Sequence, residues 1–320
     1  MKFATIGTGW IVEEFLEATR QFQDLEYALC YSRSEETAIN FLNKNNYNKT
    51  IITTNFYDLI NSECDFIYIA SPNGLHYEQA KELLINNKNI LLEKPATFKV
   101  SEIKELKDIA NKSKVILMEA TKCVHVSELQ IIEDFIKNNE VNSAVFNLNQ
   151  YSSRMKDVKQ GIYKSVFDFE LGKGSSFDLN MYPVELAIKL FGNVKEIKAF
   201  NKRLKNGVAI ANHSILLHEN GILTSITCSK NNFQSINSQI FAEDKNIEIK
   251  GITQIDEFVI NNSVLRLAPL KITREKPNSM WYEINDFMEI IRNSDFIKMN
   301  YWLDLSIETI RVLEIIENNN

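Results

Sequence analysis

The sequence predicts an α/β protein: a Rossmann-like, doubly wound parallel sheet in residues 1–120, then an α+β domain with a large open, mostly antiparallel sheet in residues 121–320. Three observations predict it. Short apolar runs of strand length alternate with helical patterns up to about residue 120, and strands apolar on both faces need helices on both sides. The first run ends in Gly7-Thr8-Gly9, the form of a βα turn. Beyond about residue 140 the segments lengthen and alternate apolar with polar, joined by hairpin turn signals. A chain of 320 residues also exceeds one domain at the usual scale of roughly 100–200 residues each.

Taken in order, residues 3–6 read as the first strand, and Ile11, Phe15, Ala18 or Thr19, and Phe22 follow at helical spacing. Gly7 would make the tight turn and Gly9 would let the backbone approach a pyrophosphate, held by the free N–H groups and dipole of the helix. Val12 stands where a third small residue normally lets helix and strand pack closely, so the fingerprint is incomplete. Residues 27–31 form the next strand, before a helix carrying Ala38, Phe41 and Leu42; residues 65–70 precede a helix with Tyr77, Ala80, Leu83 and Leu84. Residues 90–92 lead through Lys94-Pro95 into a helix with Ile103, Leu106 and Ala110, and residues 115–118 close the series. In the second half, strands are expected at 143–151, 195–202, 208–217, 222–229, 238–242, 247–249 and 257–260. Glu219-Asn220-Gly221 and Asp244-Lys245-Asn246 supply turn chemistry between them. Two amphipathic helices, 280–292 and 301–317, and a polar asparagine tail end the chain. An open sheet with a half-apolar second face commonly finds a partner, so a homodimer is expected.

Composition narrows the function. A net charge of −6 with no Lys/Arg block argues against nucleic acid or an anionic membrane as partner. No apolar segment approaches membrane-spanning length and the first residues form a strand, so a cytoplasmic protein is expected. Cys30, Cys64, Cys123 and Cys228 make no C-x-x-C pair and read as core thiols. His76, His125, His213 and His218 show no metal-binding spacing, so no metal is expected.

Lys94 follows an apolar strand directly and precedes Pro95. Ligands of open parallel sheets sit outside the carboxyl ends of the strands, so Lys94 would face a cofactor; the bland alternative is a solvated Lys-Pro turn. At the end of the second strand an NAD site usually carries an acid, whereas the 2′-phosphate of NADP needs hydroxyl and guanidinium donors. The chain has Tyr31-Ser32-Arg33-Ser34 there, and Ser32 with Arg33 favours NADP, NAD remaining possible. Glu35 and Glu36 fit the first turn of the following helix.

Four motifs in order carry a resemblance over nearly the whole chain: Gly7-Thr8-Gly9; Ala70-Ser71-Pro72-Asn73-Gly74-Leu75-His76; Glu93-Lys94-Pro95; and Gly174 to Pro183, containing Asp178 and Tyr182. Together they resemble the glucose–fructose oxidoreductase, inositol dehydrogenase and rhizopine-catabolism (Gfo/Idh/MocA) oxidoreductases. The resemblance implies NAD(P)-dependent hydride transfer to or from a secondary alcohol or hemiacetal of a small-molecule sugar, polyol or cyclic diol. It implies that Lys94, Asp178 and Tyr182 meet the substrate beside the nicotinamide. Cofactor contacts are implied for Gly7, Thr8, Gly9, Trp10, Ile11, Ser32, Arg33, Ser71, Pro72, Asn73, Glu93, Lys94 and Glu119, with His76 in a secondary, packing part. Lys122 departs from the family pattern after Glu119-Ala120. Tyrosine rather than histidine at 182 resembles the branch with glucose–fructose oxidoreductase, xylose dehydrogenase and dihydrodiol dehydrogenase.

The chemistry suits those residue types. Alcohol oxidation needs a group to take the hydroxyl proton, and a phenol near a cation can do so; Tyr182 and Lys94 are the candidates. Lys94 would also hold the reacting oxygen as negative charge develops there. Asp178, four residues before Tyr182, shares a helix face with it and would orient the substrate or Lys94. Pro183 disfavours helix at Tyr182 and would start a fresh helix running to residue 190, stopped by Gly192. Asn180, where the family usually keeps glycine, would tighten the pocket or adopt glycine's left-handed backbone. Ser152, Arg154, Lys156 and Lys164 are further possible substrate contacts, or simply solvated. The alternative of a different class is a non-catalytic NAD(P)-binding sensor of the same fold.

Overall fold

Strands β1 (Lys2–Ile6), β2 (Glu26–Tyr31), β3 (Ile51–Thr53), β4 (Phe66–Ile69), β5 (Asn89–Glu93) and β6 (Leu117–Ala120) form a parallel sheet in the order β3-β2-β1-β4-β5-β6. The computed structural model describes residues 1–264 and 268–319. Every residue of β4 is buried, as a strand covered by helices on both faces must be. The order reverses between β1 and β4, and in such sheets the crevice at that point takes the ligand. β3 went unexpected because three residues are too few for a pattern, and Ile51 at this edge is 66% exposed.

Aromatic side chains fill this unit. Phe3 stacks between Tyr27 and Phe66, with centroids 5.1 and 5.5 Å away, while Phe15 on the helix Trp10–Thr19 stacks on Tyr68 at 3.9 Å. Each buried ring contributes about 2–3 kcal/mol through apolar burial, and a good ring pair adds about 1 kcal/mol.

The chain divides into two compact units, Met1–Ala120 with Asn278–Asp304, and Thr121–Pro277 with Leu305–Asn320. Residues 278–304 therefore belong with the first unit, whereas a division at residue 120 placed them in the second. The reason lies in the helix Met280–Asn293: Phe287 meets Phe66 edge-on at 5.2 Å and Trp281 stacks on Phe22 at 5.5 Å. Periodicity shows which face of a helix is apolar, not which sheet that face covers.

In the second unit β7 (Val141–Asn149), β8 (Val194–Arg203), β9 (Ala209–His218), β10 (Leu223–Ser229), β11 (Ser238–Ala242), β12 (Lys245–Lys250), β13 (Glu257–Asn262) and β14 (Leu270–Thr273) form one sheet. Its order is β14-β13-β12-β11-β7-β10-β9-β8, antiparallel throughout except for the parallel pair β7–β10. β14 was not expected, nor was the helix Leu129–Asn138, whose Leu129, Ile132 and Phe135 are buried. The last helix, Phe296–Asn318, begins earlier than the sequence suggested, and Asn320 of the asparagine tail lies outside the described residues. One face of β8, β9 and β10 carries Phe200, Ile215 and Leu223, which are 73%, 51% and 45% exposed. Among the described residues no helix is long and apolar enough to cross a membrane.

Candidate active site

In the first unit the loop after β1 has the geometry of a phosphate cradle. Gly7 has φ +116°, and a Cβ there would sit 2.6 Å from the Ala70 carbonyl oxygen, so only glycine fits. A Cβ on Gly9 would meet nothing within 4 Å: the backbone there faces open space, the form needed for close approach of a pyrophosphate. Val12 donates its N–H to Gly9 at 3.0 Å, and the N–H groups before it in this first turn have no acceptor within the helix. Val12 is fully buried, so helix and sheet pack with valine where the usual fingerprint has a smaller residue. Trp10 opens the helix and is 71% exposed; Thr8 and Ile11 flank it on the loop and in the first turn.

At the end of β2, Ser32 is nearly buried and accepts from the N–H of Ser34 at 3.3 Å, leaving its own hydroxyl proton free to donate. Ser34 in turn caps the helix Glu35–Lys44 by accepting from the N–H of Thr37. Arg33 is exposed and has no ion-pair partner among the described residues. A hydroxyl, a guanidinium and a capped helix start suit a phosphate.

Three side chains pin the loop after β5. The carboxylate of Glu93 accepts from the N–H of Lys94 at 3.2 Å, His76 Nδ1 lies 2.9 Å from the Pro95 carbonyl, and Glu119 accepts from the N–H of Ala96 at 2.5 Å. The Lys94–Pro95 bond is cis. Glu93 also accepts from the Tyr68 hydroxyl at 2.5 Å, and burial together with that carboxylate pushes the Tyr68 phenol well up. Glu93 and Glu119 are almost fully buried and Lys94 is partly exposed, so in this geometry the two acids brace the loop that presents the lysine.

His76 is wholly buried, its Nε2 lying 2.9 Å from the Ser71 carbonyl. The ring thus joins the loop after β4 to the loop after β5. Burial, more than any other cause, holds its pKa below the ordinary range, opposed by the two carbonyls. A neutral ring can donate to only one of them. Ser71 donates to Gln79 at 2.6 Å, Asn73 starts a single helical turn, and Pro72 is exposed at the mouth of the loop.

In the second unit Asp178 ends the short helix Ser175–Asp178 and Tyr182 lies in the first turn of Met181–Phe191. Gly174 has φ +65° and a Cβ there would come within 2.1 Å of the Ala209 carbonyl, which is how this segment packs against β9. A buried polar network fastens it: the single hydroxyl proton of Ser175 is shared between the Ala209 carbonyl and the Asn212 amide oxygen, and Asn212 donates to Ser176 at 2.9 Å and to Asn201 at 2.6 Å. The helix expected to start at Pro183 starts two residues earlier, because a first-turn proline lacks only an N–H that no turn would use. Asn180 has φ −62° and ψ −21°, right-handed, so it does not imitate a left-handed glycine. The backbone stays right-handed through Leu179 and Asn180, and Asp178 and Tyr182 remain about one turn apart.

Sequence reasoning missed Lys230. It follows β10 directly, its side chain is 7% exposed, and it forms an ion pair with Asp178, which is 29% exposed. A lysine after a strand carries no local sign of such a partner 52 residues away. Of the loop residues singled out earlier, Ser152 donates its N–H to the Lys230 carbonyl at 2.8 Å and Arg154 donates to Ser165 at 2.9 Å, while Lys156 and Lys164 are exposed. Among the described residues no cluster of His, Cys, Asp and Glu could hold a metal ion.

A glycine-turned phosphate cradle beside the point where the strand order of a parallel sheet reverses is the form of a dinucleotide-binding fold. Residues 1–121 match the model of the oxidoreductase family with an NAD-binding Rossmann fold, GFO_IDH_MocA. The chain is 31% identical over 316 residues, 98% of its length and 95% of the relative's, to scyllo-inositol 2-dehydrogenase (NADP(+)) IolU of Bacillus subtilis. It is 27% identical over 91% of its length to the uncharacterised oxidoreductase YgjR of Escherichia coli, covering 88% of that protein. In fold it is similar to the 3-ketoreductase KijD10 of Actinomadura kijaniata, solved with NADP and TDP-benzene: TM-score 0.86, 16% identity, 99% of this chain and 96% of that one. The chain belongs to the Gfo/Idh/MocA family and is an NAD(P)-dependent oxidoreductase.

Proposed function

We propose that the protein is an NADP-dependent dehydrogenase of a cyclic polyol or sugar, oxidising a secondary alcohol and, in reverse, reducing the ketone. The observation that carries this reading is the likeness along the whole chain to an NADP-dependent inositol dehydrogenase. The Ser32–Arg33 donors at the end of β2 support the choice of NADP.

Bound NADP supplies the acceptor or donor of the hydride. Tyr182 acts as the general base that takes the hydroxyl proton in oxidation and returns it in reduction. Lys94 holds the reacting oxygen with a charge-assisted hydrogen bond that strengthens as the alkoxide forms. The bracing of residues 94–96 by Glu93, His76 and Glu119 keeps that ammonium positioned beforehand, so little reorganisation accompanies reaction. Asp178 orients the substrate. The order of motifs, not a distance, assigns residues of both units to one substrate. The same reading extends to a cytoplasmic homodimer that covers the exposed Phe200, Ile215 and Leu223.

A second reading of the substrate rests on a cavity of about 400 Å³ in the second unit. Met155, Val158 and Tyr163 line it together with the exposed Lys159, Lys202 and Lys205, none of them in an ion pair among the described residues. Three cations in its lining suit a sugar that carries a phosphate.

Nicotinamide absorbance on the purified protein tests both, with NADP⁺ or NAD⁺ and a panel of inositols, aldoses, cyclic diols and sugar phosphates. Turnover of an unphosphorylated polyol or sugar with NADP⁺, lost in Lys94→Met, is the expected result; preference for a sugar phosphate selects the second reading. Tight NADPH binding without turnover of any member overturns both in favour of a sensor.

A further inference from the structure

Lys230 places a nearly buried ammonium against Asp178 with more donors than the protein uses. An ammonium has three N–H donors, and the Asp178 carboxylate is its only side-chain partner among the described residues. Such a group is expensive to bury unless other oxygens meet the remaining donors. The pair is anchored on rigid elements: Lys230 donates its backbone N–H to Ile210 at 2.9 Å, and Asp178 sits on the segment that the Asn212 network ties to β9. Asn180, in the turn between Asp178 and Tyr182, is wholly buried and neither atom of its amide has a protein partner. This turn therefore holds more polar capacity than the protein itself satisfies.

We infer that Lys230 and Asp178 form a clamp for two neighbouring substrate hydroxyl groups, selecting substrates with a hydroxyl beside the reacting carbon. The inference rests on the polyol reading above and deepens it. An ammonium only donates and a carboxylate only accepts, whereas each hydroxyl does both. One hydroxyl accepts from Lys230 and its neighbour donates to Asp178, the two partners standing side by side in the ion pair. An isolated carbonyl or a monohydroxylated ring fills only half of the clamp and leaves the other half buried without a partner. Lys230 is thus a substrate-binding residue, and Asp178 receives its countercharge from within its own unit.

The test compares wild type, Lys230→Met and Lys230→Arg on scyllo-inositol and on the monodeoxy-inositol lacking a hydroxyl beside the reacting carbon, with NADP⁺ binding measured separately. Should another polyol of the panel be the one turned over, the comparison uses that polyol and its deoxy analogue. For Lys230→Met, KM for the full polyol rises about 10- to 100-fold, while NADP⁺ affinity and the unfolding midpoint hold. Wild type discriminates against the deoxy substrate, Lys230→Met discriminates much less, and Lys230→Arg recovers part of the difference. Equal discrimination by wild type and Lys230→Met overturns the clamp while leaving the polyol reading standing. So does a loss of NADP⁺ binding or of the folded state in both variants, together with undiminished discrimination by the protein that remains active. Turnover of no polyol at all removes the polyol reading and the clamp with it.

Discussion

The two units hold their functional groups by different means. In the first, the cradle after β1 and the loop after β5 are backbone constructions: Gly7 clears the Ala70 carbonyl, and the N–H of Lys94, the carbonyl of Pro95 and the N–H of Ala96 are each held by a side chain. In the second, Asp178 is held by a side chain from the far end of β10 and by an asparagine on β9 that grips its helix. A cofactor shared by many enzymes can be met by a fixed backbone shape, which leaves a local mark such as Gly-x-Gly. A substrate met by side chains gathered from distant strands leaves none.

The largest effect expected from this contrast is in the chemistry. Tyr182→Phe keeps the ring and removes only the proton-carrying hydroxyl, so kcat should fall by about 10²- to 10⁴-fold with NADP⁺ affinity unchanged. Steady-state rates beside a cofactor titration check it; a residual rate within a few-fold of wild type would remove Tyr182 from the reaction.

Next come the two glycines, alike in sequence and opposite in surroundings. Gly7→Ala forces a Cβ against a carbonyl at positive φ and should destabilise folding by about 2–4 kcal/mol. Gly9→Ala meets no protein atom and has an ordinary φ of −85°, so the unfolding midpoint should hold while NADP⁺ affinity drops about tenfold. Denaturant unfolding and cofactor titration on the same two proteins separate the effects. A stable Gly9→Ala protein that binds NADP⁺ like wild type would mean that the cradle does not touch the pyrophosphate.

This contrast also explains what the sequence made legible. Gly7, Gly9 and Lys94 could be placed because each lies within three residues of a strand end, and strand ends of a parallel sheet are visible from apolar runs. That the Glu93 and Glu119 carboxylates also hold backbone N–H groups of the loop after β5 left no sign, because nothing local shows a carboxylate turning back onto its own or a neighbouring loop. Lys230 was invisible because a lysine after a strand looks the same whether solvated or paired. The helix Met280–Asn293 was seen, but its partner sheet was not, because Phe287 meets Phe66 across more than two hundred residues of sequence.

Arg33→Ser sharpens the comparison at the rim of the first unit. Losing one charge-assisted contact to a 2′-phosphate should weaken NADP⁺ about 10- to 100-fold and leave NAD⁺ nearly unchanged. Equal losses for the two cofactors would place Arg33 away from the 2′-phosphate.

The smallest effect concerns His76, the side chain that joins two backbone loops. Its pKa is lowered by burial, so as pH falls the unfolded chain takes up a proton near the ordinary value of about 6.5 before the folded one does. The unfolded state then binds more protons, and stability falls with pH from about 6.5 down to the lowered folded value. The slope from one such group is at most about 1.4 kcal/mol per pH unit. His218 is also lowered by burial and adds a similar slope in the same window, although it lies in the second unit, bonded to the Gly192 carbonyl and to Thr224. Replacing either histidine with glutamine should therefore flatten the stability profile between pH 7.5 and 5.5 by up to one proton. Only His76→Gln should also lower kcat, because only His76 holds the carbonyl next to Lys94. Denaturant titrations at several pH values, read beside turnover at neutral pH, separate the two. If His218→Gln lowered kcat as much as His76→Gln, both effects would be general losses of packing and the backbone pinning of Lys94 would have no special part in catalysis.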